Sequence, residues 1–263
     1  MIDAGRVAAQ LCTERFGRSL RALERTGSTS DDARNDALAG AADGHVVIAD
    51  QQSSGRGSQG RGWLSPGGRD LYVSIVARPA VALRTMPTLT LAVGLGVALA
   101  VDELLCAAAG GRAPRCEVKW PNDVWIARKK VSGILVEASA VGSEMGAVII
   151  GIGLNVNRTE FDPELAQQAT SLRLASGGDR DLDRERALCT LLSHVERSVD
   201  RWARDGEEAI IAEIDARLAF RGEPVTHDGS AATLLGLSPS GAIRLQTPGG
   251  AVVERVSGRL LPA

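Results

Sequence analysis

The sequence predicts an α+β fold, with a mixed, largely antiparallel sheet carrying helices and a small β module after it. Three observations predict this. Between residues 117 and 157, short β-branched runs alternate with turn residues (EVKW, PND, VWIA, RKK, VSGILVEA, VGSE, MGAVIIGIGLNVN), which is the spacing of an antiparallel meander. Leu188, Leu191, Leu192, Val195, Val199 and Trp202, and then Ile210, Ile211, Ile214 and Leu218, recur at three and four residues, as on amphipathic helices. From Phe220 onward the pattern breaks into short β-like pieces, GEPVTH, DGSAA, TLLGLSPSG, AIRLQTPGG and AVVERVSG. The expected division is 1–218 and 219–263. A module of roughly 45 residues is near the lower size at which a core holds alone, so it is expected to dock on the larger part.

The elements follow in order. MIDAGRVAAQLCTERFG lacks the long apolar run of a secretory signal and reads as a short amphipathic helix. Residues 20–26 predict a strand. The DDARNDALAG helix follows, with Ser30 as N-cap, Asp31 and Asp32 in its positive first turn and Gly40 at its stop. HVVIAD (45–50) and LYVSIVA (71–77) predict strands. Residues 85–101 carry no charge and reach the low end of membrane-spanning length. Pro87, Gly94, Gly96 and the following Asp102-Glu103 favour a buried helix, expected to run to residue 109.

The 263 residues are 44% hydrophobic and 24% charged, ordinary for a soluble globular protein. A formal net charge of -2 argues against general coating of nucleic acid or adhesion to membranes, so any positive chemistry must be concentrated. Cys12, Cys106, Cys116 and Cys189 form no C-x-x-C pair; they predict neither a zinc site nor a disulfide framework, and read as buried, reduced thiols of a cytoplasmic protein.

Four motifs carry candidate chemistry. In QQSSGRGSQGRGW (51–63), Gly55, Gly57 and Gly60 spell a dinucleotide-binding turn. Such a turn must open a helix, whereas RGWLSPGGRD has no helical periodicity, so the stretch reads as a glycine-rich loop between strands. Its amides can close on an anion, Arg56 and Arg61 add fork-shaped donors, and Trp63 adds a flat apolar face. In KWPNDVW (119–125), Lys119 and Asp123 project from one hairpin end, where they suit phosphate and Mg²⁺. Taken singly, these two read first as an incidental surface loop and an ordinary hairpin turn. RKKVSGILVE (128–137) places Gly133 inside a strand, a mark of close approach by another group. GIGLNVN (151–157) puts two asparagines in an apolar strand, where either an adenine edge or an internal hydrogen bond satisfies them.

Taken together and in order, GSTS, QQSSGRGSQGRGW, KWPNDVW, KKVSGILVE and GIGLNVN resemble the consecutive motifs of the biotin protein ligases, over nearly the whole chain. The resemblance implies a class II synthetase-like biotin/lipoate ligase fold ending in an SH3-like β-barrel. It implies an enzyme that uses ATP and Mg²⁺ to convert biotin to biotinyl-5′-AMP. The acceptor it implies is a lysine of the biotin carboxyl carrier protein of acetyl-CoA carboxylase or a related carboxylase. By resemblance, Lys130 and Arg56 are catalytic. Ser28, Thr29, Ser30, Gln52, Arg56, Gly57, Ser58, Lys130, Gly133 and Leu135 take biotin. Arg56, Arg61, Trp63, Lys119, Asn122, Asp123, Lys130 and Asn155 take ATP or the adenylate, with Asp123 as Mg²⁺ ligand.

Ser28 comes too early for the N-terminal DNA-binding domain of some members, so the expectation is no DNA, no membrane, and a monomer or homodimer. Two positions depart from the family's usual spelling. Ser58 stands where arginine is frequent, which implies a looser hold on the adenylate, and Ser30 stands where asparagine is usual. The nearest rival is a lipoate or octanoate ligase, but its R-R-x-x-G-G-G motif with His-Asp is missing, and the one His-Asp is His227-Asp228. A non-catalytic RNA-binding module is the other rival, weakened by 3% aromatic residues and no long basic stripe.

Overall fold

Alternating apolar side chains build a two-faced sheet. In the computed structural model, which describes residues 1–79, 81, 85–111, 114–141, 144–178 and 180–263, seven strands form it. They are β1 (Leu20–Thr26), β2 (Val46–Gln52), β3 (Leu71–Ala77), β4 (Glu117–Lys119), β5 (Asp123–Ile126), β6 (Lys129–Val141) and β7 (Glu144–Leu154). Their order is β1-β2-β3-β7-β6-β5-β4. Only β1 and β2 run parallel; every other neighbouring pair is antiparallel, with β4 to β7 forming the expected meander. The turn expected at 141–144 lies outside the described residues at 142 and 143.

The two faces bury different partners. Val46, Ile48, Val73, Ile75, Ile150 and Ile152 join a core with α3 (Met86–Ala108) and α5 (Arg184–Asp205). Their neighbours Val47, Val76 and Ile149 face the other way and pack with Ala33 of α2 (Thr29–Leu38). The β-branched alternation thus serves both faces at once. Helix α3 is long and apolar enough to cross a membrane, but most of it is buried in this core. At Gly96 an added Cβ would lie 2.7 Å from Val195 Cα, so glycine is what lets the α3 and α5 backbones meet.

The expected helices occur with adjusted ends. The N-terminal one is α1 (Ala4–Gln10), capped by the Asp3 carboxylate. Helix α2 begins one residue before Ser30, so Ser28 occupies the N-cap position and the Ser30 hydroxyl bonds Ser74 instead. A five-residue helix, α4 (Leu172–Ser176), was not expected. Helix α6 (Glu208–Asp215) stops before Leu218, which forms a bridge with Val118. Cys12 and Cys106 are exposed, contrary to the reading of all four thiols as buried; only Cys116 and Cys189 are.

The C-terminal strands β8 (Pro224–His227), β9 (Ser230–Leu237), β10 (Ile243–Gln246), β11 (Val252–Arg255) and β12 (Leu260–Pro262) form a five-stranded antiparallel sheet ordered β11-β10-β9-β8-β12. DGSAA and TLLGL fuse into the single strand β9. This sheet rests on the KWPND hairpin and the helices: Trp120 Nε1 donates to Gly241 O at 3.2 Å, and Leu237 N donates to Asp215 Oδ1 at 2.8 Å.

Candidate active site

Strand register lays the floor of the site. Lys119 pairs with Asp123, Asp123 with Gly133, Gly133 with Gly153, and Gly153 with Tyr72, a single row across five strands. The next row on the same face holds Leu135, Gly151 and Ser74. Because side chains alternate between faces, all of these stand opposite the α3–α5 core. Two glycines at the centre of the first row leave the sheet bare, and Trp63 of the glycine loop lies there. An added Cβ would fall 2.7 Å from Trp63 Cζ3 at Gly133 and 2.6 Å from Trp63 Nε1 at Gly153. The indole N–H is buried with no hydrogen-bond partner.

One end of the cleft is polar and uncharged. Thr29 donates its backbone N–H and its hydroxyl to Gln52 Oε1 at 2.9 and 3.1 Å, and Ser74 Oγ lies 2.9 Å from Thr29 Oγ1 and 3.1 Å from Ser30 Oγ. Ser28, Thr29, Ser30 and Ser74 are all buried. Crowded hydroxyls at the start of a helix offer donors and acceptors to a small neutral polar ring.

The other end is cationic. Lys130 Nζ lies 2.6 Å from Asp123 Oδ1 and stands 5.2 Å from the centre of the Trp63 ring; Lys119 Nζ lies 3.7 Å from Asp123 Oδ2 and 5.5 Å from the Trp125 ring. Asp123 Oδ1 meets Lys130 as an ion pair without an aligned hydrogen bond, and Trp125 Nε1 is a separate buried donor without a hydrogen-bond partner. Burial pushes the Lys119 ammonium below the ordinary lysine value. Asp123 opposes that fall, while the like charges of Lys130, Arg61 and Arg259 add to it. Several cations thus converge on one carboxylate, as a polyanion site requires.

The glycine loop folds as an extended ribbon, with Gly57 N donating to Arg61 O at 2.7 Å and Trp63 N to Gly55 O at 2.8 Å, around a single 3₁₀ turn at Ser58–Gly60. No α-helix follows, so the dinucleotide reading is excluded. Asn122 Nδ2 donates to Ser58 Oγ at 3.0 Å and to Ile134 O at 2.8 Å, tying the loop tip to the KWPND turn. Arg56 is not a free cation. It reaches Asp31 at 2.6 Å and Glu137 at 3.4 Å, and Arg34 reaches the same two carboxylates at 2.8 and 3.1 Å. The hydrogen bond from Arg56 holds the Asp31 carboxyl below the usual range and raises the guanidinium in turn.

The sequence-predicted residues Ser28, Thr29, Ser30, Gln52, Arg56, Gly57, Ser58, Trp63, Asn122, Lys130, Gly133 and Leu135 all line one cleft, which opens to solvent and, with the Trp63 indole lying on its floor, holds a cavity of only about 30 Å³. Lys119 and Asp123 flank it through the Lys130 contact. Asn155 is not in the lining: its Nδ2 donates to Thr170 O at 2.9 Å, the internal hydrogen bond left open by the sequence. Arg61 does not line the cleft but lies within the field of Lys119. Sequence reasoning missed Tyr72, Ser74, Gly151 and Gly153. The signal was a serine in the otherwise apolar LYVSIVA, and two strand glycines of the kind read at Gly133.

Residues 22–155 match the family described as Biotin/lipoate A/B protein ligase. The bifunctional ligase/repressor BirA of Bacillus spizizenii is 40% identical over 64% of this chain and 50% of its own length. The chain thus spans about half of that relative. The biotin--[acetyl-CoA-carboxylase] ligase of Mycobacterium tuberculosis is 35% identical over 76% of this chain and 71% of its own. The biotin protein ligase of Aquifex aeolicus, solved with biotin and ATP, superposes with a TM-score of 0.75 at 30% identity, covering 92% of this chain and 97% of the other.

Proposed function

We propose, for a chain that belongs to the biotin/lipoate A/B protein ligase family, that the cleft activates biotin as biotinyl-5′-AMP and passes the biotinyl group to a lysine of a biotin carrier domain of the acetyl-CoA carboxylase kind. The observation that carries the reading is the pairing of a neutral, hydroxyl-lined end with a cationic end across two bare glycines. The ring system of biotin suits Ser28, Thr29, Ser30 and Gln52. Its tail runs between Gly133 and Leu135, and its carboxylate ends at Lys130.

In the first half-reaction a carboxylate oxygen attacks the α-phosphorus of ATP, an O–P bond forms and pyrophosphate leaves. Two unit charges near 4 Å repel by about 4 kcal/mol at an effective dielectric of 20. Lys130 is placed to remove that obstacle and to hold charge on phosphorus, and Lys119 faces the leaving phosphates. Arg56 holds the first half of the loop on α2 and β6, and reaches a ligand carboxylate only by exchanging it for Asp31. Asn122 and Ser58 hold the tip, Gly57 leaves the backbone open, Arg61 adds to the phosphate field, and Trp63 gives the adenylate a flat wall. Asn155 acts at one remove, bracing β7. In the second half-reaction the acceptor amine attacks the acyl carbon, the C–O bond to AMP breaks, and AMP leaves as the amine loses its proton to solvent. Until then the anhydride needs exclusion of water, which an ordered loop supplies.

The fit to a protein-held Mg²⁺ is poor. Asp123 is one carboxylate facing two ammonium groups, and no cluster of three metal-ligating side chains occurs among the described residues. Mg²⁺ fits here as the counter-ion that ATP carries, and no step is routed through it.

Biotin-dependent exchange of labelled pyrophosphate into ATP tests the first half-reaction alone. Wild type is expected to exchange, and Lys130→Ala to lose at least about a hundredfold in rate, the scale of one preorganised charge contact. Exchange unaffected by Lys130→Ala would remove Lys130 from the chemistry.

A further inference from the structure

Beyond the cleft, at the exit of the glycine loop, lies a buried ion pair that neither half-reaction uses. Asp70 and Arg158 are 1% and 6% exposed. Arg158 Nε donates to Asp70 Oδ2 at 2.8 Å, and Nη2 lies 2.6 Å from the same oxygen. Nη2 also donates to Leu64 O at 2.9 Å and to the Tyr72 hydroxyl at 3.3 Å, while Asp70 Oδ1 accepts from Val156 N at 2.9 Å. On its outer side the guanidinium stands 5.2 Å from the centre of the Phe161 ring.

Three segments therefore meet on this one ion pair. Leu64 is the residue after Trp63, so its carbonyl fixes where the indole enters the cleft. Val156 continues β7 past the floor glycines. Phe161 belongs to the 159–170 segment, which crosses the other side of the site: Lys130 N donates to Gln168 O at 2.8 Å and Thr170 N to Lys130 O at 2.9 Å. A buried ion pair is weak evidence of stabilisation, because well-packed apolar residues usually do as well. What an apolar pair cannot supply is a planar fork that bonds a carboxylate, a carbonyl and a hydroxyl in fixed directions.

We propose that Arg158 is a positioning residue that joins the glycine loop and the 159–170 segment, so that the loop lying over the cleft and the segment bonded to the Lys130 backbone open and close as one unit. The consequence for the adenylate rests on the function proposed above; the joining itself does not. In the free protein, residues 53–64 and 159–170 then share one opening equilibrium, and in the enzyme that equilibrium sets how long the adenylate is retained.

Hydrogen exchange of the ligand-free protein tests the joining, using wild type, Arg158→Lys, and the paired change Asp70→Asn with Arg158→Met, which leaves no unpaired charge. Expected is a common exchange rate for the two segments in wild type and separate, faster rates in both variants, with exchange of β3, β7 and the part of β6 beyond Lys130 unchanged. A purely structural role would instead raise exchange through those strands. Independent opening of the two segments in wild type would overturn the proposal. Adenylate retention is then compared, and the variants are expected to lose it at least about fivefold faster, the low end of measured couplings. Retention equal to wild type would overturn the catalytic consequence. Failure of wild type to form any adenylate would count against the proposed function, and the exchange result would still decide the coupling.

Discussion

Ser58 and Lys119 show how single side chains set the site's behaviour. Ser58 Oγ holds the loop tip to Asn122 but brings no charge to a loop expected by resemblance to carry one more. Ser58→Arg is therefore expected to slow release of biotinyl-5′-AMP, measured as dissociation of labelled adenylate from the purified complex; unchanged or faster release would contradict this. Lys119 is pushed below the usual lysine value chiefly by burial. Charged Lys119 thus costs stability at neutral pH, a cost relieved as pH rises through its folded and then its unfolded value. For function the sign is opposite. ATP affinity, which uses the charged form, is expected to fall with rising pH before an ordinary lysine near 10.4 would titrate. Lys119→Arg keeps its charge, so KM for ATP measured against pH should lose that alkaline rise; a persisting rise would assign it to another group. Asn155 teaches a different lesson, since its sequence context allowed both a ligand and an internal partner, and the Thr170 carbonyl takes the amide.

Among the elements, those whose local pattern and tertiary role agree were legible in the sequence. The meander follows from β-branched runs set between turn residues, α3 from its long uncharged apolar run and α5 from apolar periodicity. Helix α4 and strand β12 are five and three residues long, too short to carry a period, and were not legible. The start of α2 was placed late because both Ser28 and Ser30 satisfy the capping rule, and only contact with Ser74 distinguishes them. Ser74, Gly151 and Gly153 were missed for a related reason: the row they occupy is set by register between strands, which no single strand contains. Contact between α3 and α5 gives a test at this scale. Gly96→Val places atoms into the Val195 backbone, whereas Gly94→Ala meets Ile134 Cδ1 at 3.6 Å and Val118 Cγ1 at 3.7 Å, both ordinary contacts. Gly96→Val is expected to lower unfolding free energy by about 1–3 kcal/mol or more, as overpacking does. In the same denaturant titration Gly94→Ala should be close to neutral. Equal effects would mean that the two helices do not depend on that close approach.

Across the whole molecule, the sheet divides two tasks between its faces. One carries the α3–α5 core, and the other carries the row from Lys119 to Tyr72, with two glycines at its centre, on which the glycine loop lies. The chain as a whole is slightly negative, yet Lys119, Lys130, Arg61 and Arg259 act on one another at one end of the cleft. The five-stranded sheet sits against the KWPND hairpin through Trp120 and Gly241, so it buttresses the hairpin that presents Lys119 and Asp123. These arrangements fit the proposed activation of biotin and its transfer to a protein lysine. The most direct measurement is the intact mass of a biotin carrier domain incubated with the protein, ATP and Mg²⁺, and with either biotin or lipoate. The expected result is a biotinyl mass increase on one lysine that requires ATP and fails with Lys130→Ala. A lipoyl increase without a biotinyl one, or no increase with either acid, would contradict it.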